Sequence, residues 1–121
     1  MKKEINKKIL IVEDDEDFCF ILKKILLAEG FTVVTAKDGQ AGADCAVSEK
    51  PDLIISDVLM PKMDGPSMAR KIKECGIIVP IMFLTNVENE DESIKECDYL
   101  IKSEIHINEI VDKIKQKLNA I

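Results

Sequence analysis

The run Pro51-Asp52-Leu53-Ile54-Ile55-Ser56-Asp57 decides the fold. Its apolar centre, Leu53 to Ile55, is too short for a buried helix and β-branched enough for a strand covered on both faces. A proline precedes it and an aspartate ends it. Asp57 therefore falls at the carboxyl end of a central strand, where open α/β sheets place their ligand sites. A second apolar run, Ile9-Leu10-Ile11-Val12, leads into Glu13-Asp14-Asp15. Two parallel strands delivering carboxylates to one rim make a site for a hard cation or a phosphoryl group.

Strand and helix signals alternate outward from these two runs. Phe18, Ile21, Leu22, Ile25 and Leu26 recur at helical spacing, with Asp15 placed to cap the helix and Gly30 to stop it. Thr32–Ala36 is β-branched and predicts a second strand. Asp38-Gly39 opens a weaker helix to about Glu49, with Ala43, Ala46 and Val47 toward the sheet; Gly42 lowers its intrinsic stability. Pro66 suits the first turn of a third helix, with Met68, Ala69, Ile72 and Cys75 facing inward. Pro80–Leu84 and Tyr99–Ile101 are the fourth and fifth strands. Between them the chain is acidic and poor in apolar residues, so any helix there is short, over about 92–96. Ile107, Ile110, Val111, Ile114 and Leu118 make the last amphipathic helix. Five alternations predict a parallel sheet with helices on both faces.

The 121 residues fit one domain, with residues 1–7 as a polar N-terminal tail. A net charge of −6 argues against a nucleic-acid or anionic-membrane surface. No apolar run approaches the length of a membrane span, and no signal-peptide core follows the first residues. The expected location is the cytoplasm. Cys19, Cys45, Cys75 and Cys97 lack metal or redox spacing and are expected to be small buried residues, with Cys97 the most exposed.

Five side chains should meet at the carboxyl rim of the sheet. Glu13-Asp14 and Asp57 supply negative oxygens, Thr85 a hydroxyl and Lys102 a positive charge. Carboxylates held together raise one another's pKa unless a cation intervenes. Mg²⁺ suits the site because it is hard, prefers oxygen and needs only one or two carboxylates plus phosphate. If Asp57 attacks phosphorus, Mg²⁺, Thr85 and Lys102 can each neutralise charge on the transferring group. Taken singly, Asp15 is a helix cap, Thr85 a turn residue and Lys102 a solvated end. The coincidence of all of them at one rim favours a functional site.

With those residues in place, the chain resembles a bacterial two-component response-regulator receiver domain over nearly its whole length. The matching motifs are Ile9–Asp15, Asp52–Asp57, Met60-Pro61-Lys62-Met63-Asp64-Gly65, Leu84-Thr85 and Asp98–Lys102. Each is weak alone; five in order are specific. The resemblance implies a flavodoxin-like, doubly wound, five-stranded parallel sheet in strand order 2-1-3-4-5, with helices on both faces and the fourth helix shortened. It implies that Asp57 is the phosphoacceptor, fed by a histidine kinase or histidine phosphotransfer protein. Asp14 would ligate Mg²⁺ directly and Glu13 through water, with the Leu59 carbonyl completing the protein ligands. Lys102 would bind the phosphoryl oxygens, and Thr85 and Tyr99 would form the switch. His106 has no family role.

The resemblance also implies a stand-alone switch acting on a downstream protein target, with no DNA-binding domain in this chain. Where the family usually continues with a cis proline, Ser103 follows Lys102; the lysine's charge is still expected at the site. The Thr85–Lys102 span is about one helical turn shorter than usual, which alters the family's output face. Asn86 stands where a smaller residue is usual. Leu59 and Val87 are apolar and cannot orient an attacking water, which implies a long-lived phosphoryl group. A phosphorylation-independent binding module of the same fold is the competing reading. An aspartyl-phosphate enzyme is disfavoured because Leu59, not a second carboxylate, stands two residues after Asp57.

Overall fold

The computed structural model describes residues 5–85, 98–102 and 106–118. Five parallel strands, β1 (Lys8–Val12), β2 (Thr32–Ala36), β3 (Leu53–Asp57), β4 (Ile81–Thr85) and β5 (Asp98–Ile101), form one sheet in the order β2-β1-β3-β4-β5. Four helices are described: α1 (Glu16–Ala28), α2 (Gly39–Glu49), α3 (Gly65–Glu74) and α4 (Ile107–Leu118). The strand–helix alternation accounts for the parallel sheet, and its order is the flavodoxin-like, doubly wound one that the resemblance implies. The short helix expected at 92–96, and the residues Asn86, Val87, Cys97 and Ser103, lie outside the described residues.

Side chains alternate across the central strands and so build two cores. Ile9, Ile11, Leu53, Ile55, Met82 and Leu84 face α1 and α4, where Leu22, Leu26, Ile110, Val111 and Ile114 close over them. Leu10, Val12 and Ile54 face the other way, against Ala43 and Ala46 of α2 and Met68 and Ile72 of α3. A sheet covered on both faces needs continuous apolar strands, which is why β1 and β3 carry no alternating polar positions in their centres.

Each of the first three helices begins at an aspartate. Asp15 accepts from the backbone N–H groups of Asp17 and Phe18, Asp38 from Ala41 and Asp64 from Ser67. These bonds satisfy donors that a helix start leaves unpaired. Gly30, at φ 102°, turns the chain out of α1 in a conformation that favours glycine. Gly42 serves packing: a β-carbon there would stand 2.7 Å from Met68 Sδ and 2.9 Å from Val12 Cγ2. The residue that weakens α2 as an isolated helix lets it lie close on the sheet.

Several expectations need correction. Ile21 and Val47 are exposed, because each lies on the flank of its helix's buried stripe rather than at its centre. Cys75 is exposed as the C-cap of α3, where its helix has already ended; Cys19 and Cys45 are half-buried. Burial first, and then the charges of Glu13 and Glu49 respectively, raise the Cys19 and Cys45 thiols above their ordinary pKa. Ile5 is not a free tail residue: it packs against the α1–α4 core and its N–H donates to the Gly30 carbonyl at 3.0 Å.

Candidate functional site

Strand register brings the acidic groups level. Val12 lies beside Ser56, so Glu13 and Asp57 follow at the same height on neighbouring strands. Asp57 in turn lies beside Leu84, and Thr85 beside Ile101. Lys102 is therefore two residues farther along than Asp57, roughly 7 Å at the usual rise per strand residue, a gap its four-carbon stem can span. Its backbone N–H donates to the Thr85 carbonyl at 2.7 Å, which holds the end of β5 to the end of β4.

The carboxylates of Glu13, Asp14 and Asp57 each place an oxygen within 4.8 Å of the others. Glu13 is buried, Asp57 half-buried and Asp14 exposed, so the group opens from the sheet edge toward solvent. Lys102 hydrogen-bonds to Glu13 Oε1 and lies 3.4 Å from Asp57 Oδ2. The other oxygens are also engaged: Asp15 N–H donates to Glu13 Oε2 at 3.2 Å, and Val58 N–H to Asp57 Oδ1 at 2.8 Å. Backbone donors thus fix both carboxylates while the Lys102 ammonium sits between them.

Among the described residues, three negative groups facing one positive group leave the site under-neutralised. Burial, then the charge of Asp57, pushes Glu13 up to about 7, against the pull of Lys102 and of the Asp15 N–H. Burial alone would lower the Lys102 pKa. The hydrogen bond to Glu13 and the charges of Glu13 and Asp57 outweigh it and raise it, so the ammonium keeps its proton. An all-oxygen acidic set of this kind fits a hard divalent cation, whose charge would favour the ionised carboxylates.

The loop after Asp57 is tied back to the helix that follows it. Gly65 N–H donates to the Val58 carbonyl at 2.8 Å. A β-carbon on Gly65 would come within 2.6 Å of the Asp57 carbonyl oxygen and 2.7 Å of Phe83 Cε1, so only glycine lets α3 start this close to the site. The Leu59 side chain is 76% exposed and covers nothing. Thr85 is buried as the last residue of β4, not a turn residue beyond it. Tyr99 is half-buried beside Phe83 on β4 and packs against the cluster of Phe83 and Val58. His106 is exposed just before α4.

The structure thus gathers Glu13, Asp14, Asp57 and Lys102 into one cluster, with Thr85 at the same rim and Tyr99 behind it. Two features have no signal at the level of sequence. One is the contact of Lys102 with the ring of Phe18, whose centroid is 4.6 Å from Nζ; the other is the fit of Gly65 against the Asp57 carbonyl.

A doubly wound parallel sheet with an acidic cluster and a lysine at its switch-point rim defines a receiver-type signalling module. Comparison with known proteins agrees. A family model for the response regulator receiver domain matches residues 9–115, and the chain belongs to that family, the receiver domains of two-component response regulators. It is 38% identical over 90 residues to the alkaline phosphatase synthesis transcriptional regulatory protein PhoP of Bacillus subtilis (strain 168), covering 74% of this chain and 38% of that protein. It is 40% identical over 100 residues to the uncharacterized transcriptional regulatory protein YbdJ of the same strain, covering 78% and 44%. The chain thus spans about two-fifths of the length of these relatives.

Among solved structures, it is similar to the receiver domain of the hybrid histidine kinase CckA, at 32% identity and a TM-score of 0.79, covering 92% of this chain and 98% of that one. It is also similar to the receiver domain of the sensor histidine kinase PA1611 from Pseudomonas aeruginosa PAO1, at 27% identity and a TM-score of 0.82, covering 95% and 99%. That structure has a magnesium ion coordinated in its active site cleft.

The raised Glu13 has a consequence for stability. Its folded carboxyl holds a proton that the unfolded chain releases near 4.5, so between 4.5 and about 7 the folded state binds more protons. Stability without divalent cation should fall as pH rises through that window. Urea unfolding of the metal-free protein should show this decline, and Glu13→Gln should flatten it.

Proposed function

We propose that Asp57 accepts a phosphoryl group from a phosphohistidine of a partner histidine kinase or histidine phosphotransfer protein. A carboxylate oxygen of Asp57 bonds to phosphorus as the P–N bond breaks. The electron pair of that bond returns to the imidazole, which takes a proton. The observation that carries this reading is the position of Lys102, whose ammonium faces Asp57 and Glu13 together among three converging carboxylates. A fixed positive charge beside the acceptor is what a transferring phosphoryl group requires, because its charge spreads over three oxygens.

Glu13, Asp14 and Asp57 would hold Mg²⁺, with the Leu59 backbone carbonyl as a further ligand. When bound, the ion would supply positive charge to the phosphoryl oxygens. Thr85 offers its hydroxyl to those oxygens and Lys102 its ammonium. In this reading Thr85 and Tyr99 are the switch. The packing of Tyr99 against the cluster of Phe83 and Val58 supports it, since the Val58 N–H is bonded to Asp57. A changed Asp57 thereby alters the surface that a downstream protein target meets. The module signals and does not turn over a small-molecule substrate. The histidine donor and the switch act together in the cytoplasm; among the described residues no helix is long and apolar enough to cross a membrane.

The test is intact-mass analysis after incubation with acetyl phosphate and Mg²⁺. Wild type should gain one phosphoryl group, and neither Asp57→Asn nor metal-free wild type should gain any. A folded wild type that takes up none would favour a module acting by constitutive contacts.

Leu59 cannot hydrogen-bond a water beside the acyl phosphate, so the phosphoryl group should be long-lived. Leu59→Asn adds an amide that can orient that water. The phosphorylated variant should lose its group several-fold faster than wild type, followed by the same mass assay. An unchanged lifetime would remove Leu59 from the account.

A further inference from the structure

Lys102 directly follows β5, and its ammonium is a compact, strongly hydrated charge on a flexible stem. Its two carboxylate partners cannot hold it through the whole reaction. Glu13 and Asp57 are the oxygens that a cation and a phosphoryl group would engage, and each such engagement weakens their pull on the lysine.

One restraint at the site does not compete for oxygen. Phe18 is the third residue of α1, and its N–H donates to the Asp15 cap at 3.1 Å, so its backbone is fixed by the turn that begins with the acidic cluster. Its side chain is half-buried and packs against the core of Ile9, Ile11 and Leu22. Lys102 Nζ lies 4.6 Å from the centroid of its ring. An ammonium this close to an aromatic ring is attracted by the ring's quadrupole, more strongly where water is excluded. The Lys102 side chain is only 11% exposed.

We propose that Phe18 is a positioning residue for Lys102: its ring holds the ammonium over Asp57 while the carboxylates are engaged elsewhere. The ring is anchored in the core behind it, and it has no lone pair to hand over to a metal. It therefore restrains the lysine equally in the free and the phosphorylated protein. This inference rests on the phosphoacceptor reading of Asp57.

Two variants separate positioning from packing. Phe18→Leu keeps an apolar side chain and removes the ring; Phe18→Tyr keeps the ring. The first measurement needs no phosphorylation: the proton shift of the Lys102 ε-methylene by NMR, assigned by its loss in Lys102→Arg. Ring current should move this signal upfield in wild type and in Phe18→Tyr, and not in Phe18→Leu. The second is the rate of Asp57 phosphorylation by acetyl phosphate with Mg²⁺. Phe18→Leu should be about three- to tenfold slower, and Phe18→Tyr should recover most of the loss.

An unshifted Lys102 signal in wild type overturns the proposal. So does a Phe18→Leu rate equal to wild type, or a Phe18→Tyr rate as slow as Phe18→Leu, which would make Phe18 a packing residue. A wild type inert to acetyl phosphate overturns the phosphoacceptor reading instead, and the NMR shift still decides whether the ring holds the ammonium.

Discussion

Three carboxylates held within 4.8 Å of one another, with one ammonium among them, is the constraint on which the rest of this molecule turns. Left to themselves, such groups would move apart or take up protons. They do not move apart because the chain gives them little freedom. Glu13, just past β1, and Asp57, the last residue of β3, lie at one height on adjacent strands, and backbone N–H groups of Asp15 and Val58 bind their oxygens. The cost appears in the Glu13 carboxyl, which burial first and then the charge of Asp57 raise. A site kept short of positive charge is prepared to receive it.

The fold is what makes this arrangement rigid. Strand order β2-β1-β3-β4-β5 places β1 and β3 side by side at the sheet's centre, where chain direction reverses outward on either side. Crossover loops diverge there and leave the rim open. Both faces are sealed by helices, so the central residues of the strands that lead to Glu13 and Asp57 are buried. Packing at the rim is equally close: Gly65 lets α3 begin against the Asp57 carbonyl, and Val58, Phe83 and Tyr99 form a cluster immediately behind. A change in charge at Asp57 thus meets packed neighbours on the side of Tyr99 and open solvent on the side of Asp14.

The sheet and the residues at its rim were legible in the sequence because each follows from short-range pattern; the strand order followed only from the resemblance to receiver domains. Ile9–Val12 and Leu53–Ile55 can only be doubly covered strands, and the residues after a strand's end must lie at an edge. Asp15, Gly30 and Pro66 mark helix boundaries through local backbone chemistry. Periodicity was weaker at the margins of buried stripes: Ile21 and Val47 are apolar at nearly the right phase, yet they face solvent. Cys75 was misplaced because the helix ends at that residue. Contacts between distant segments left no pattern to read. The ring of Phe18 under Lys102, and the gaps filled by Gly42 and Gly65, depend on side chains far apart in sequence, and the helical spacing of Phe18 indicated only a core position.

Equilibrium Mg²⁺ binding, measured by calorimetry on wild type and on Asp57→Asn, tests the central claim most directly. If the converging carboxylates form one cation site, wild type should bind Mg²⁺ at a single saturable site, and the variant, which stays folded but carries one charge fewer, should bind it much more weakly. Equal affinity in the two proteins, or no saturable binding to wild type, would contradict the account.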